Sequence, residues 1–352
     1  MSGTLSTQDK PAAAAVGHTR VSIARRGRTA STALLALVTA MFAVALSIGE
    51  ETISLPDVLS TLAGQGSRNT NYIILESRLP RALTGLMVGA AFGLSGAIFQ
   101  TLLRNPLASP DIIGISMGAS ASAIVCIVAF GLGGLAVSAG ALGGALLTAA
   151  LMYLLAWRRG ISGYRIVLVG IGLAAMLSSV VSYMLTRSQV TDAAEALIWL
   201  TGSLNGRNWS QAVPLAICLL VLVPSAFLLS RTLGVLRFGD DTARGLGARV
   251  ETGTIGLLLC AVSLAGIATA ATGPVAFVAL LAAPIARRLV RDGGAALLPS
   301  ALVGALILGV ADFAAQNLPG VGQFPVGVLT GSVGAPYLLW LLARANRGGR
   351  GG

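Results

Sequence analysis

The chain is 352 residues long, 55% hydrophobic and 11% charged, with a mean hydropathy of +0.83; soluble domains carry about 25% charged residues, so a water-soluble fold is excluded. Its formal net charge is +11, from 24 basic and 13 acidic side chains. Such basicity can signal nucleic acid, but here the arginines lie between apolar runs, where a membrane protein keeps its cytoplasmic charge, and no nucleic-acid partner is expected.

Residues 1–30 are polar, rich in small residues and basic (Arg20, Arg25, Arg26, Arg28), which predicts a disordered cytoplasmic tail. The first apolar run covers 31–48. Ala43-Val44-Ala45 within it looks like a signal-peptide cleavage site, but the run is long for a signal core and many spans follow, so a retained first helix is expected. A helix needs ~20 apolar residues to cross a bilayer. Nine further runs of about that length lie near 82–103, 112–131, 136–157, 166–186, 211–230, 252–272, 274–290, 296–315 and 325–343. The eighth run is short and begins at Gly273-Pro274; residues 346–352 form a second cytoplasmic tail. The predicted fold is all-α: a polytopic bundle of about ten transmembrane helices over residues 31–345, with both termini on one side.

Charge sorts across this map. Nineteen basic residues fall on the side of the tails, including Lys10, Arg104, Arg165, Arg237, Arg244 and Arg287. Five fall on the other: Arg68, Arg78, Arg81, Arg187 and Arg207. Positive charge marks the cytoplasmic side, so both termini are expected there, in a multi-pass protein of a bacterial cytoplasmic membrane. The spans are rich in small residues, as at Gly85, Gly89, Gly93 and Gly96, which let helices approach closely in lipid or line a path. Cys126, Cys218 and Cys260 lie inside apolar runs, too far apart for a metal motif, and are read as packing residues.

Several chemistries find no residues to carry them. The single lysine, Lys10, sits in the tail, so no phosphate-binding loop can form and any ATP-driven role needs a separate subunit. Gly114-Ile115-Ser116-Met117-Gly118 and Gly93-Leu94-Ser95-Gly96 match serine-nucleophile patterns, but the single histidine, His18, is also in the tail, and such a serine needs a histidine base. No enzymatic activity and no bound cofactor or metal are expected. No charged residue lies deep in a run; Asp312 comes nearest, at the outer end of the ninth. Ion-coupled transporters place ionisable groups there, so proton coupling is disfavoured, and sodium coupling less so because backbone carbonyls can serve it.

Three stretches together resemble one family. They are Arg78-Leu79-Pro80-Arg81 running on through Val88-Gly89-Ala90-Ala91 to Ser95-Gly96-Ala97-Ile98-Phe99-Gln100; Arg104-Asn105-Pro106-Leu107-Ala108-Ser109-Pro110-Asp111 with Gly114-Ile115-Ser116-Met117-Gly118-Ala119; and Phe324-Pro325-Val326-Gly327-Val328-Leu329-Thr330 with Gly334-Ala335-Pro336-Tyr337. They are similar to the FecCD family, the permease subunits of ABC importers for ferric siderophores, haem and cobalamin. The likeness covers roughly residues 31–345, and its ten helices agree with the count made without it.

Physical readings and implied roles stand side by side. Pro80 can open a helix, which puts Arg78 and Arg81 at its outer mouth, where they could simply anchor the helix end. The resemblance implies that they meet acidic residues of an extracytoplasmic solute-binding protein. The family often has an arginine at the position of Gln316, so here that docking contact is changed or comes from a second permease. Asn105-Pro106-Leu107 reads as a tight turn; the resemblance places Asn105 and Leu107 at a cytoplasmic gate, with Ser162, Gly163 and Tyr164 at a second one, although Gly163 and Tyr164 depart from the family pattern. The loop 231–251 can hold a short helix capped by Asp240 or Asp241 and ended by Gly247, with Ala243 and Leu246 on one apolar face. Such a helix could lie on the bilayer. The resemblance implies that Asp240, Asp241, Ala243, Arg244, Leu246 and Gly247 dock an ATPase, with Gly245 easing close approach.

The expected function is thus that of an ABC importer permease carrying a ferric siderophore, with cobalamin or haem as other cargoes of the same type. Its expected partners are a second permease, identical or paralogous, two ATPases that use ATP and magnesium, a solute-binding protein and membrane lipid. A stand-alone secondary transporter is the reading from a different class; it would need no docking loop and would work without ATP.

Overall fold

A computed structural model describes residues 9–157, 163–291, 294–318 and 324–348, and all regular structure among them is helical. In chain order the helices are α1 (Asp9–Ser47), α2 (Leu55–Leu62), α3 (Arg68–Asn71), a π-helical stretch Tyr72–Arg78, α4 (Leu79–Leu102), α5 (Ile115–Phe130), α6 (Leu135–Ala156) and α7 (Gly163–Arg187). They continue as α8 (Val190–Thr201), α9 (Trp209–Leu228), α10 (Ser230–Leu236), α11 (Asp240–Gly245), α12 (Val250–Thr272), α13 (Val278–Val290), α14 (Leu297–Asn317) and α15 (Val326–Gly348).

Each of the ten apolar runs coincides with a helix, but the helices are not equal. Seven are long and apolar enough to cross a membrane: α1 from Arg25, the continuous stretch Arg68–Leu102, α6, α7, α9, α12 and α14. The other three are shorter. α5 has 16 residues, α13 has 13, and the apolar part of α15 is Val326–Trp340. α13 is short because the run 274–290 opens without helix: Gly273 (φ +79°) and Phe277 (φ +68°) take left-handed backbone and break the path between α12 and α13.

Two expectations about the connections change. The predicted tail is already helical from Asp9, joined to the first apolar run as one 39-residue helix; the Ala12–Ala15 run favours helix strongly enough to extend it. The connection between α7 and α9 contains α8, and the one between α1 and α4 contains α2 and α3. Both were too short to register against a ~20-residue spanning criterion.

α4 is the axis of the molecule. It packs on α9, α12, α13 and α14, and 17 of its 24 residues are buried. Its glycine stripe makes this possible. A Cβ at Gly89 would lie 2.4 Å from the Gly304 carbonyl oxygen, one at Gly93 2.1 Å from that of Ser300, and one at Gly96 1.9 Å from that of Ala279. Without side chains, the backbones of α13 and α14 come into direct contact with α4, so dispersion rather than water expulsion holds the bundle. The Ser95 hydroxyl donates to the Ala261 carbonyl at 2.7 Å and stitches α4 to α12. This serine is a packing group, as its lack of a base requires.

Over its 24 residues α4 is ~36 Å long. Its two ends separate the polar groups of the chain into two clusters, and those are the functional candidates.

Candidate functional site

At the C-terminal end of α4 the helix stops at Leu102, and Arg104 turns the chain in a left-handed conformation (φ +52°). The Asn105 side-chain oxygen accepts from the Leu107 amide at 2.9 Å, and the Ala108 amide donates to the Asn105 carbonyl at 3.1 Å. This is an Asx turn built over Pro106, which has no amide to contribute. Asn105 and Leu107 are thus held in one compact turn. The second predicted gate segment lies against it: a Cβ at Gly163 would sit 3.3 Å from the Leu103 carbonyl. Tyr164 points outward and is exposed. Ser162 lies outside the described residues.

The turn continues into Asp111. The Ser116 hydroxyl donates to Asp111 Oδ1 at 2.5 Å, while Oδ2 is sealed from solvent with no hydrogen-bond partner. Burial pushes the Asp111 carboxyl from its ordinary 3.8 up to about 6, against the opposing pull of the Ser116 hydroxyl and the nearby Phe277 amide. The residue as a whole is partly exposed, but the carboxylate is not. Phe277 is the residue of positive φ just before α13, so Asp111 lies where α5 and α13 both begin.

The coupling segment meets the same cluster. It holds two short helices, α10 and α11, rather than one. Gly239 (φ +103°), not an aspartate, occupies the N-cap of α11, and neither Asp240 nor Asp241 makes a capping hydrogen bond; both sit in the first turn. The far end closes as a Schellman motif around left-handed Gly247 (φ +79°), with Gly247 donating to the Arg244 carbonyl and Ala248 to that of Ala243. Ala243 is buried and Leu246, at the C-cap, is 66% exposed. The expected apolar pair is thus divided between one buried and one exposed side chain. Arg244 pairs with Asp241 at 3.3 Å, and Gly245 has open space around it.

Arg104 and Asp240 join the two parts through an ion pair of 3.5 Å. One groove runs along this junction, lined among others by Leu103, Arg104, Gly163, Asp240, Arg244 and Glu251. Both predicted gate segments and the predicted coupling helix thus come together at one end of α4. Close by, Arg287 of α13 reaches Gln100 and Thr101, and Gln100 donates to the Leu280 carbonyl, so α13 is fastened to the last turn of α4.

At the opposite end, Arg81 forms an ion pair with Asp312 at 2.8 Å, and its Nε lies 3.2–3.3 Å from both carboxylate oxygens. Gln316, one helical turn on, donates to Asp312 Oδ2 at 2.8 Å. Asp312 is 6% exposed. Gln316 thus serves the buried carboxylate. Arg78 donates to the Leu46 carbonyl at 2.8 Å and to that of Glu51, tying the π-helical stretch to the end of α1. A cleft of about 350 Å³ opens beside both arginines, walled in part by Glu50, Glu51, Tyr72 and Gln316. The sequence marked Arg81 and Asp312 separately; only proximity in the fold reveals that they pair.

Residues 35–344 match the family model described as the FecCD transport family. The chain is 42% identical over 302 residues to the ferric enterobactin transport system permease protein FepG of Escherichia coli (strain K12), covering 86% of this chain and 92% of that one. It is 39% identical over 328 residues to the achromobactin transport system permease protein CbrC of Dickeya dadantii (strain 3937), covering 92% and 93%. Among solved structures, one described as a metal-chelate type ABC transporter in an inward-facing conformation superposes with a TM-score of 0.78 at 27% identity, over 90% of this chain and 99% of that one.

Proposed function

This chain belongs to the FecCD transport family, and on that premise we propose that it is the permease subunit of an ABC importer that moves a ferric siderophore inward across a bacterial cytoplasmic membrane. The observation that carries the reading is the Arg104–Asp240 ion pair, which links the Asn105–Leu107 turn to α11. A secondary transporter has no need of a loop helix wired to its gate; a permease driven from outside does.

The division of labour follows from the two ends of α4. At one end α11 offers Asp240, Asp241, Arg244 and exposed Leu246 to an ATPase, which supplies the ATP site and its magnesium. Displacement of α11 moves Arg104 and with it the turn holding Asn105 and Leu107, while Gly163 and Tyr164 border the same opening. At the other end Arg78, and Arg81 through its pairing with Asp312 and Gln316, form the platform for a solute-binding protein. The path itself lies between this chain and a second permease. The names of the relatives, which concern ferric enterobactin and achromobactin, support an iron chelate as cargo.

The test is uptake of radioiron-labelled chelate by liposomes that contain this chain together with a partner permease, an ATPase and a binding protein. Uptake is expected to require ATP, the ATPase and the binding protein. Transport by the purified chain alone, in liposomes free of ATP, would sink the reading in favour of a secondary transporter.

A further inference from the structure

Five arginines lie at the outer end by the charge map, and the structure separates them by what their guanidinium groups already hold. Arg81 is paired with Asp312 and Arg78 with two carbonyls. Arg68 is exposed, as is Arg187, which lies over the Tyr183 ring. Arg207 is different. Its Nε donates to the Ser203 carbonyl at 3.2 Å, and its two terminal nitrogens have no partner among the described residues. Burial alone presses its pKa below the ordinary arginine value.

Arg207 lines a cavity of about 450 Å³ between the outer ends of α5 and α6, helix α8 and the connection to α9. Glu195, Trp199, Ser203 and Asn205 share its wall. This size suits a small organic ligand or one arm of a larger one. Glu195 makes no ion pair with Arg207, so the cation is not neutralised from within.

The loop that carries Arg207 is braced. Gly202 meets the backbone of the α12–α13 break and of α15: the Ser203 amide donates to the Thr272 carbonyl at 2.8 Å and the Gly327 amide to the Gly202 carbonyl at 3.0 Å. A Cβ at Gly202 would lie 2.1 Å from the Pro274 carbonyl, so only glycine allows this junction. Asn208 caps α9 in a reciprocal box with Gln211, and the Trp209 indole donates to the Leu75 carbonyl at 2.9 Å. A part-buried guanidinium with open donors, held on a fixed loop, is a preorganised receptor for a planar pair of anionic oxygens.

We propose that this outer cavity is a binding subsite for the anionic oxygen donors of an iron chelate, catecholate or carboxylate, with Arg207 as the residue that receives them. The inference rests on the importer reading and adds to it a residue that selects cargo by charge. Iron(III) is a hard cation held by such oxygens, and a trianionic complex keeps excess negative charge on its rim. Glu195 on the same wall weakens that attraction and limits how long the chelate stays.

The experiment uses the full chain with its partner subunits in lipid nanodiscs. The probes are iron(III) tris-catecholate, a trianion, and iron(III) tris(acetohydroxamate), which is neutral. Iron complexes quench tryptophan fluorescence, and Trp199 lies on the cavity wall. The trianion should quench saturably, and Trp199→Phe should remove that component. Arg207→Gln should weaken the titration about tenfold or more, Arg207→Lys less, because lysine keeps the charge without the fork. Glu195→Gln should tighten it, a change of opposite sign that misfolding would not produce. An Arg207→Gln titration identical to the wild type, equal quenching by the neutral complex, or no quenching in the wild type would overturn the subsite. ATP-driven radioiron uptake is read in parallel. If the wild type takes up iron and Arg207→Gln does so equally well, the subsite fails alone; if the wild type shows no ATP-driven uptake, the importer reading fails with it.

Discussion

Arg81 and Asp312, 231 positions apart in the chain, close into a forked ion pair whose side chains are only 11% and 8% exposed. It joins the start of α4 to the end of α14. Breaking a buried pair by removing one partner leaves an uncompensated charge and costs about 3–5 kcal/mol, whereas replacing both with apolar groups of similar volume is often neutral. Arg81→Ala and Asp312→Ala should each lower the thermal midpoint of the purified protein sharply, and Arg81→Met with Asp312→Leu should recover most of the loss. Arg81→Glu would set two carboxylates against each other, so docking of a binding protein is better tested with Arg78→Glu. That variant should associate more weakly with the binding protein, and the difference from wild type should shrink as salt rises.

Leu246 is exposed and Ala243 buried, and their substitutions should differ accordingly. Leu246→Asp places a carboxylate on an exposed site, so the protein should fold normally while ATPase co-purification falls about tenfold, the loss of one apolar anchor. Ala243→Asp buries a charge beneath α11 and should instead lower the yield of folded protein. Unchanged co-purification and uptake with Leu246→Asp would remove α11 from the ATPase contact.

Asp111 predicts a pH signature. Its folded pKa of about 6 lies above the ordinary 3.8, so the fold favours the neutral acid. Below about pH 3 the group is largely protonated both folded and unfolded and has little effect. Between pH 4 and 6 the unfolded chain ionises first, and stability falls by roughly 3 kcal/mol before levelling off. Asp111→Asn keeps an acceptor for Ser116 without the charge. The variant should come closest to wild type near about pH 3 and exceed it in thermal midpoint above pH 6; a difference that does not change with pH would show that the carboxyl is not held neutral.

The glycine stripe of α4 gives a prediction with an internal control. At Gly96 a methyl group would meet the Ala279 backbone at 1.9 Å, and backbone cannot swing aside as a side chain can. Gly96→Ala should cost about 1–3 kcal/mol or more through overpacking. Gly143, on α6, has nothing within 4 Å of such a methyl. Gly143→Ala should be neutral or slightly stabilising, since alanine is the better helix former.

The helical architecture was legible because hydropathy and charge sidedness act over long segments. Ten apolar runs each coincide with a helix, and Arg81 and Arg104, placed on different sides, stand at opposite ends of α4. What escaped was shorter than the criterion or not local. α8 has 12 residues, and α13 loses its first turn to a break at Gly273–Phe277 that no hydropathy window detects. Of the candidate site residues, the Asn105-Pro106-Leu107 turn could be read because its chemistry lies within three positions. The pairing of Arg81 with Asp312, the unequal burial of Ala243 and Leu246, and the vacant donors of Arg207 all depend on the packing of the fold. Sequence identified Arg78, Arg81 and Arg207 alike as outer cations; only the fold showed which of them still has a free hand.

The Arg104–Asp240 bridge has a consequence for how a pair of permeases would work. Both of its residues belong to one chain, and the helix they connect to the gate turn is six residues long. A stroke delivered to α11 therefore has only one side-chain contact to cross before it reaches Asn105, with no need to pass through the neighbouring subunit. In a two-permease assembly each half would carry its own transmission, and a motor disabled on one side would leave the opposite gate turn mechanically engaged. Importers built from one wild-type and one Asp240→Ala permease would then behave as half-geared machines rather than dead ones.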